Sequence, residues 1–190
     1  GLVCRRHGRK PRGAGRFPPG HRPPRPGPRL RTCRRAVYNG VNGSGRVGKI
    51  MKITVEATVE APIAAVWNAY VSPEDIVQWN AASDDWHTTR SSVDLRPGGA
   101  FCSRMEAKDG SFGFDFEGIY TRIVPNRLIE FSFGDRKAAV EFDEGAGGVT
   151  VRVSFDSEEM HSIEQQREGW QAILDRFKRH VEAKAASAEG

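Results

Sequence analysis

The 190-residue chain has room for one domain and an appendage, and its charge is divided rather than spread. Of its 29 Lys and Arg, 14 fall in residues 1–50, where there is no Asp or Glu; the remaining 140 residues carry 15 basic against 24 acidic side chains, a net of −9. The overall +5 and the basic pI therefore average a basic segment with an acidic domain and describe no real surface.

No apolar run approaches the roughly 18–20 residues of a transmembrane helix, and Arg and Pro interrupt the N-terminal region too often for a signal-peptide core. The three cysteines, Cys4, Cys33 and Cys102, form neither a disulfide framework nor a Cys-x-x-Cys motif. That pattern favours a reducing compartment, and the expectation is a cytoplasmic protein without cofactor or bound metal.

Residues 1–50 also hold seven of the 11 prolines and ten of the 21 glycines, as in Arg22-Pro23-Pro24-Arg25-Pro26-Gly27-Pro28-Arg29. Such a composition buries too little apolar surface to offset its ordering entropy, so disorder is expected. The preferred reading gives this segment no function. Met51 is the first methionine and stands directly before the first strand-like run, the pattern expected of a start placed too far upstream. A nucleic-acid or anionic-surface arm is the alternative, because clustered Arg neutralises phosphates. An organelle transit peptide is weakened by the single serine, Ser44. The folded domain is expected over 51–186.

Lys52 to Val59 alternates strictly, with Ile53, Val55, Ala57 and Val59 on one face, as in a half-buried strand. Pro62 is suited to a first helical residue, and Ile63, Val66, Trp67 and Tyr70 mark a helix over 63–71. Ser72 can cap a second helix ending near Trp79, with Pro73 in its first turn and Glu74 and Asp75 complementing its dipole.

From Trp79 to His87 the chain reads as a loop. It concentrates two indoles, two adjacent carboxylates and an imidazole, and its Asn, Ser and Asp favour local side-chain-to-backbone bonds. Strands are then expected over about 91–96, 99–107, 111–123, 127–134, 137–143 and 148–156. Asp109-Gly110, Pro125-Asn126 and Glu144 to Gly148 supply turns. Phe112, Phe114, Phe116 and Tyr120 fall on one strand face, with Gly118 leaving room among them for a side chain or a ligand. A long helix over about 162–185 follows, its stripe formed by Ile163, Trp170, Ile173, Leu174, Phe177 and Val181. One strand, two short helices, six strands and a long helix make an α+β domain with the helices on one side of an antiparallel sheet.

That order resembles the START-like helix-grip fold, a seven-stranded antiparallel sheet curved around a long C-terminal helix. Within it the chain is similar to the family of the C-terminal domain of the activator of heat shock protein 90 ATPase, also called polyketide cyclase-like or SRPBCC. The resemblance rests on Ala61-Pro62 with Val66-Trp67, Pro73-Glu74 with Trp79, and Asp94-Leu95-Arg96-Pro97-Gly98-Gly99-Ala100-Phe101. Met105, Asp109-Gly110, Gly118-Ile119-Tyr120 with Pro125, and Gly169-Trp170 with Leu174 complete it. It spans Met51 to about Lys184, and Ser83-Asp84-Asp85-Trp86-His87 looks like the mark of a bacterial stand-alone branch. The resemblance implies a cavity between sheet and long helix for a lipid-like, polyketide-like or other apolar molecule. It also implies a chaperone of the heat shock protein 90 type as an alternative partner, met on an outer surface.

The residues expected to touch a ligand are Trp79, Trp86, His87, Phe101, Met105, Phe114, Phe116, Trp170 and Leu174, apolar and aromatic walls with an adaptable methionine. Asp84, Asp85 and His87 are candidates for acid/base chemistry: adjacent carboxylates push one pKa upward, and histidine titrates near neutrality. Against this, neighbouring residues of a loop point apart, and loop Asx residues mostly serve turns. His161 is the plausible distant partner. Arg104, Glu106, Asp115 and Glu117 should face solvent. Arg96-Pro97-Gly98-Gly99 is a turn and not a phosphate loop, lacking Lys-Ser/Thr and a following helix. The favoured function is binding of a small apolar or aromatic molecule; the alternatives are a chaperone co-factor, or a cyclase or hydrolase using His87 with Asp84 or Asp85.

Overall fold

The computed structural model describes residues 50–188, so the expectations for the basic N-terminal segment fall almost wholly outside the described residues. Strand β1 (Lys52–Val59) is followed by helices α1 (Ile63–Val71) and α2 (Pro73–Trp79). Strands β2 (Trp86–Val93), β3 (Ala100–Ala107), β4 (Gly113–Val124), β5 (Leu128–Phe133), β6 (Arg136–Gly145) and β7 (Gly148–Asp156) come next, and helix α3 (Ile163–Ala188) closes the order. All seven strands pair antiparallel in the order β1-β7-β6-β5-β4-β3-β2. β1 and β2 therefore form opposite edges, and α1–α2 carries the chain from one to the other. The sheet is curled into a half-barrel.

The local rules explain most boundaries. Ser72 caps α2, its hydroxyl accepting from Asp75 N at 3.4 Å. Pro62 sits one place earlier than expected, as the residue preceding α1. α3 opens on a reciprocal box: Ser162 Oγ accepts from Gln165 N, and Ser162 N donates to Gln165 Oε1, both at 3.1 Å.

The second strand differs from expectation. It begins at Trp86 and ends at Val93, instead of running over 91–96. Trp86-His87-Thr88-Thr89 is an aromatic and β-branched run that suits a strand once β3 offers it a partner. The loop is thus confined to residues 80–85, between α2 and β2. One further expectation needs correction. Phe112 precedes β4 and is 63% exposed, outside the inward row of Phe114, Phe116 and Tyr120. Cys102 is buried on β3.

β2 contains a bulge between Thr88 and Arg90. Strict alternation would send either Trp86 and Thr88 or Ser91 and Val93 outward; the extra residue keeps both pairs on the inner face. Arg90 is thereby placed outside, 3.6 Å from Asp115. Arg104 also lies on that face, 2.7 Å from Glu106 and 3.7 Å from Asp115.

Of the two parts its position suggested, Gly118 plays the first and makes room for a side chain. A Cβ there would lie 2.4 Å from the Ser132 carbonyl oxygen and 2.6 Å from Phe101 Cζ. The room it leaves is taken by the Phe101 ring and the neighbouring backbone, with no space left for a ligand. Gly118→Ala should therefore destabilise the fold by about 1–3 kcal/mol through overpacking, measured as a lower urea midpoint at unchanged slope.

The core follows from the width of the sheet. Seven strands span roughly 29 Å at about 4.8 Å spacing, whereas a helix is only about 10–12 Å across. α3 lies along β1 and meets α1 and α2. Its C-terminal half packs inward through Phe177 and Val181, at 0% and 2% exposure. Phe177 meets Tyr70 and Trp79 edge-on, with centroids 5.3 and 5.0 Å apart. The N-terminal half of α3 stands over the far strands, where one helix leaves inner face uncovered.

Candidate ligand-binding cavity

The uncovered inner face encloses a cavity of about 790 Å³, within the range of small-molecule sites. Its sheet wall comes from β2 to β5 and β7: Trp86, Ser91, Phe101, Ser103, Met105, Phe114, Phe116, Tyr120, Phe131 and Val153 among others. Tyr70, Ile76 and Trp79 enter from α1 and α2, and Gln166, Trp170, Ile173 and Leu174 from α3. Glu158, Met160 and His161 contribute from the segment joining β7 to α3, and Asp135 and Arg136 from the β5–β6 turn.

Aromatic contacts shape these walls. Trp170 stacks on Phe155 with centroids 4.2 Å apart and planes 16° from parallel, and meets Phe116 edge-on at 6.1 Å. Phe101 lies 5.6, 5.2 and 5.1 Å from Phe116, Tyr120 and Phe131. Trp79 is fixed by its indole N–H, which donates to the Ala69 carbonyl at 3.0 Å. Trp86, Phe112 and Phe114 cluster at 5.9–6.3 Å, with Phe112 and Phe114 partly exposed.

The polar lining is sparse and mostly engaged. Ser91 and Ser103 share a hydroxyl–hydroxyl bond of 3.1 Å. Gln166, 8% exposed, donates to the Glu158 and His161 carbonyls at 3.0 and 2.9 Å and accepts from Glu158 N at 2.9 Å, clamping the β7–α3 segment to the helix. Glu158 accepts from His161 Nδ1 at 2.6 Å and from the backbone N–H groups of Met160 and His161. Burial pushes the Glu158 carboxyl upward, but these bonds outweigh it and hold the group below the usual range.

Eight of the nine residues expected to touch a ligand line this cavity: Trp79, Trp86, Phe101, Met105, Phe114, Phe116, Trp170 and Leu174. His87 does not. It pairs with Glu106, one step out of phase with the inward Thr88 and Met105, and so belongs to the outer face. The trio Asp84, Asp85 and His87 is not assembled into a site. Asp84 is 99% exposed and ion-paired to Arg176 on α3. Asp85 accepts from Ser83 Oγ, and that bond holds its carboxyl below the usual range, opposite to the upward push expected of adjacent carboxylates. His161 partners Glu158, away from all three. Among the described residues no group of three or more His, Cys, Asp or Glu is arranged to hold a metal.

Two cavity features escaped the sequence reading. Tyr70 and Tyr120 place phenol groups in the cavity wall, and the only signal was a tyrosine standing in a hydrophobic stripe. Glu158 carried no pattern at all, since its partnership with His161 depends on a local chain reversal.

A curled antiparallel sheet gripping a long C-terminal helix, with an aromatic cavity between them, defines a START-like helix-grip protein. Residues 60–182 match the family described as Activator of Hsp90 ATPase homolog 1-like protein, and the chain belongs to that family. An AHSA1-like protein of Aeromonas hydrophila, solved by NMR, is 51% identical, with 70% of this chain and 94% of that one covered and a TM-score of 0.67. A solution structure from Cytophaga hutchinsonii is 44% identical over 70% of this chain and 93% of that one, with a TM-score of 0.62. A crystal structure from Nitrosomonas europaea, 19% identical, shares the fold over 71% and 96% of the two chains with a TM-score of 0.59. No curated protein matches the chain. Proteins of this fold family typically bind hydrophobic ligands, and among the described residues no helix is long and apolar enough to cross a membrane.

Proposed function

We propose that the chain binds a small apolar or aromatic molecule between the inner face of the sheet and the N-terminal half of α3. The observation that carries this reading is the cavity itself: about 790 Å³, walled by Trp79, Trp86, Phe101, Phe116, Phe131 and Trp170, with most of its lining surface apolar. Burying apolar ligand surface against such walls yields about 25 cal/mol per Å² before the costs of association. Binding without catalysis is the favoured form, because the acid/base trio of the sequence is dispersed.

A thermal-shift screen of the full chain against lipids, flavonoid-like aromatics and polyketide mimics tests the reading. A ligand at about 100 times its Kd should stabilise the fold by roughly 2.7 kcal/mol. A chemically related set of hits supports the cavity reading. Silence from the folded chain would count against it and favour a protein partner of the chaperone type met on an outer surface.

A further inference from the structure

The two edges of the sheet are finished differently. Along β1 the main-chain groups are occupied by side chains of α3. Gln171 Nε2 donates to the Glu56 carbonyl at 3.1 Å and Lys178 Nζ to that of Thr58 at 2.6 Å, while Glu182 Oε1 accepts from Glu60 N at 2.8 Å. At the opposite edge the second half of β2 has no such cover. Thr89, Arg90 and Ser92 are exposed. Among the described residues, no hydrogen bond outside the sheet ladder reaches the main chain of residues 89–93.

The phase of the β2–β3 ladder decides which groups are spare. Asp94 N donates to the Ala100 carbonyl at 2.9 Å, and Val93, Ser92, Ser91 and Arg90 pair in turn with Phe101, Cys102, Ser103 and Arg104. In an antiparallel ladder alternate residues bond the neighbouring strand. Arg90, Ser92 and Asp94 therefore turn their N–H and C=O groups toward β3, and Ser91 and Val93 turn theirs out of the sheet. A row of unpaired main-chain groups is a template for another strand. The bulge between Thr88 and Arg90 distorts the start of β2 but leaves 90–93 in regular register.

We infer that this edge pairs antiparallel with the same strand of a second copy of the chain, about a two-fold axis at Ser92. The charges choose both the partner and the register. With Ser91 opposite Val93 of the second copy, the outward groups bond one another, and Arg90 meets Asp94 on either side of the axis. Arg90 and Asp94 stand at non-hydrogen-bonded positions, where facing side chains come closest. Each has a partner on its own chain, Asp115 at 3.6 Å and Arg96 at 2.8 Å, but at 45% and 50% exposure both reach beyond it. Moving the axis to Val93 sets Arg90 against Arg96 of the second copy, and moving it to Ser91 draws the bulged Thr89 into the ladder. A ladder this short makes an interface below the standard size, so the dimer is weak and reversible. Because Ser91 and Val93 line the cavity, pairing sets two cavities side by side along one continuous sheet. The inference does not depend on what the cavity holds.

Sedimentation of the full chain over a wide range of concentration tests it. The wild type is expected to pass from monomer to dimer as concentration rises. Arg90→Glu and Asp94→Arg, each checked for folding by circular dichroism, should weaken the dimer about 10-fold or more, since each sets like charges across the axis. Mixed in equal amounts, the two variants should dimerise again, because the mixture restores an opposite pair on both sides. Amide hydrogen exchange gives a second readout on the wild type alone. Protection at Ser91 and Val93 should rise in step with the dimer fraction, while Ser92, already bonded to β3, stays constant. Should a variant fail to fold, that pattern still decides. A wild type that remains monomeric throughout overturns the inference. A dimer that ignores both charge changes, or leaves the Ser91 and Val93 amides as exposed as before, uses another face and overturns it as well.

Discussion

Phe177→Ala is expected to cost about 3–5 kcal/mol of folding stability, the range for truncating a fully buried aromatic side chain. Phe177 is completely inaccessible, and its ring is edge-on to both Tyr70 of α1 and Trp79 of α2. It is the point at which all three helices meet. Collapse of the hole is opposed on every side, because Trp79 is tied to the Ala69 carbonyl and Tyr70 also abuts Phe142. Phe177 is not among the cavity-lining residues. Chemical denaturation of the variant should show the full loss, while any protein that remains folded should keep its ligand affinity within a few-fold. A cost below about 1 kcal/mol would mean that α3 is held mainly by its polar ties to β1.

The second large effect is expected against the same half of that helix, where Asp75 of α2 is buried at 7% exposure. His180 Nε2 lies 2.7 Å from its carboxylate, and Lys184 Nζ lies 2.8 Å from each of the two oxygens. Burial pushes the Asp75 carboxyl upward, but the bonds from Lys184 and His180 outweigh it and hold the group below its ordinary value. Asp75→Asn keeps the shape, removes the charge and leaves both donors facing an amide. We expect a loss of about 2 kcal/mol, the scale of a hydrogen bond to a charged group, moderated because Lys184 is more than half exposed.

The pH dependence has a definite sign. A carboxyl whose folded pKa lies below its unfolded value near 3.9 stabilises the fold fully above that value and loses the contribution as pH falls through the folded pKa. The stability gap between wild type and Asp75→Asn should thus be steady above about pH 5 and close below about pH 4. Glu158, shifted in the same direction, should steepen acid unfolding in both proteins and so cancel in the comparison. A gap that widened on acidification would contradict the assignment.

How much of this was legible beforehand can be judged element by element. The strict alternation of Lys52 to Val59, the Ser72-Pro73 start of α2 and the stripe from Ile163 to Val181 each encode a local period or cap. β1, α2 and α3 accordingly lie where those signals place them. The same periods put Phe101, Met105, Phe114 and Phe116 on the inner face, because alternation within one strand needs no knowledge of its neighbours.

The stretch around Trp86 was not readable in this way. Whether Trp86 to Arg90 is loop or strand depends on β3 lying beside it, and the bulge that returns Ser91 to the inner face belongs to the pair and not to either strand. The removal of His87 from the site is a consequence of that pairing. Gly118 likewise advertises a space, but only the packing of Phe101 against the Ser132 backbone reveals that the space is filled.

The amino-acid sequence by itself therefore determined the order of the elements and, β2 apart, their places and apolar faces, since these follow from the intrinsic preferences of short segments. Tertiary structure alone decided where the cavity lies and which side chains of different elements meet in its walls. These depend on distances between residues far apart in the chain, and a one-dimensional pattern of residue types carries no such distances.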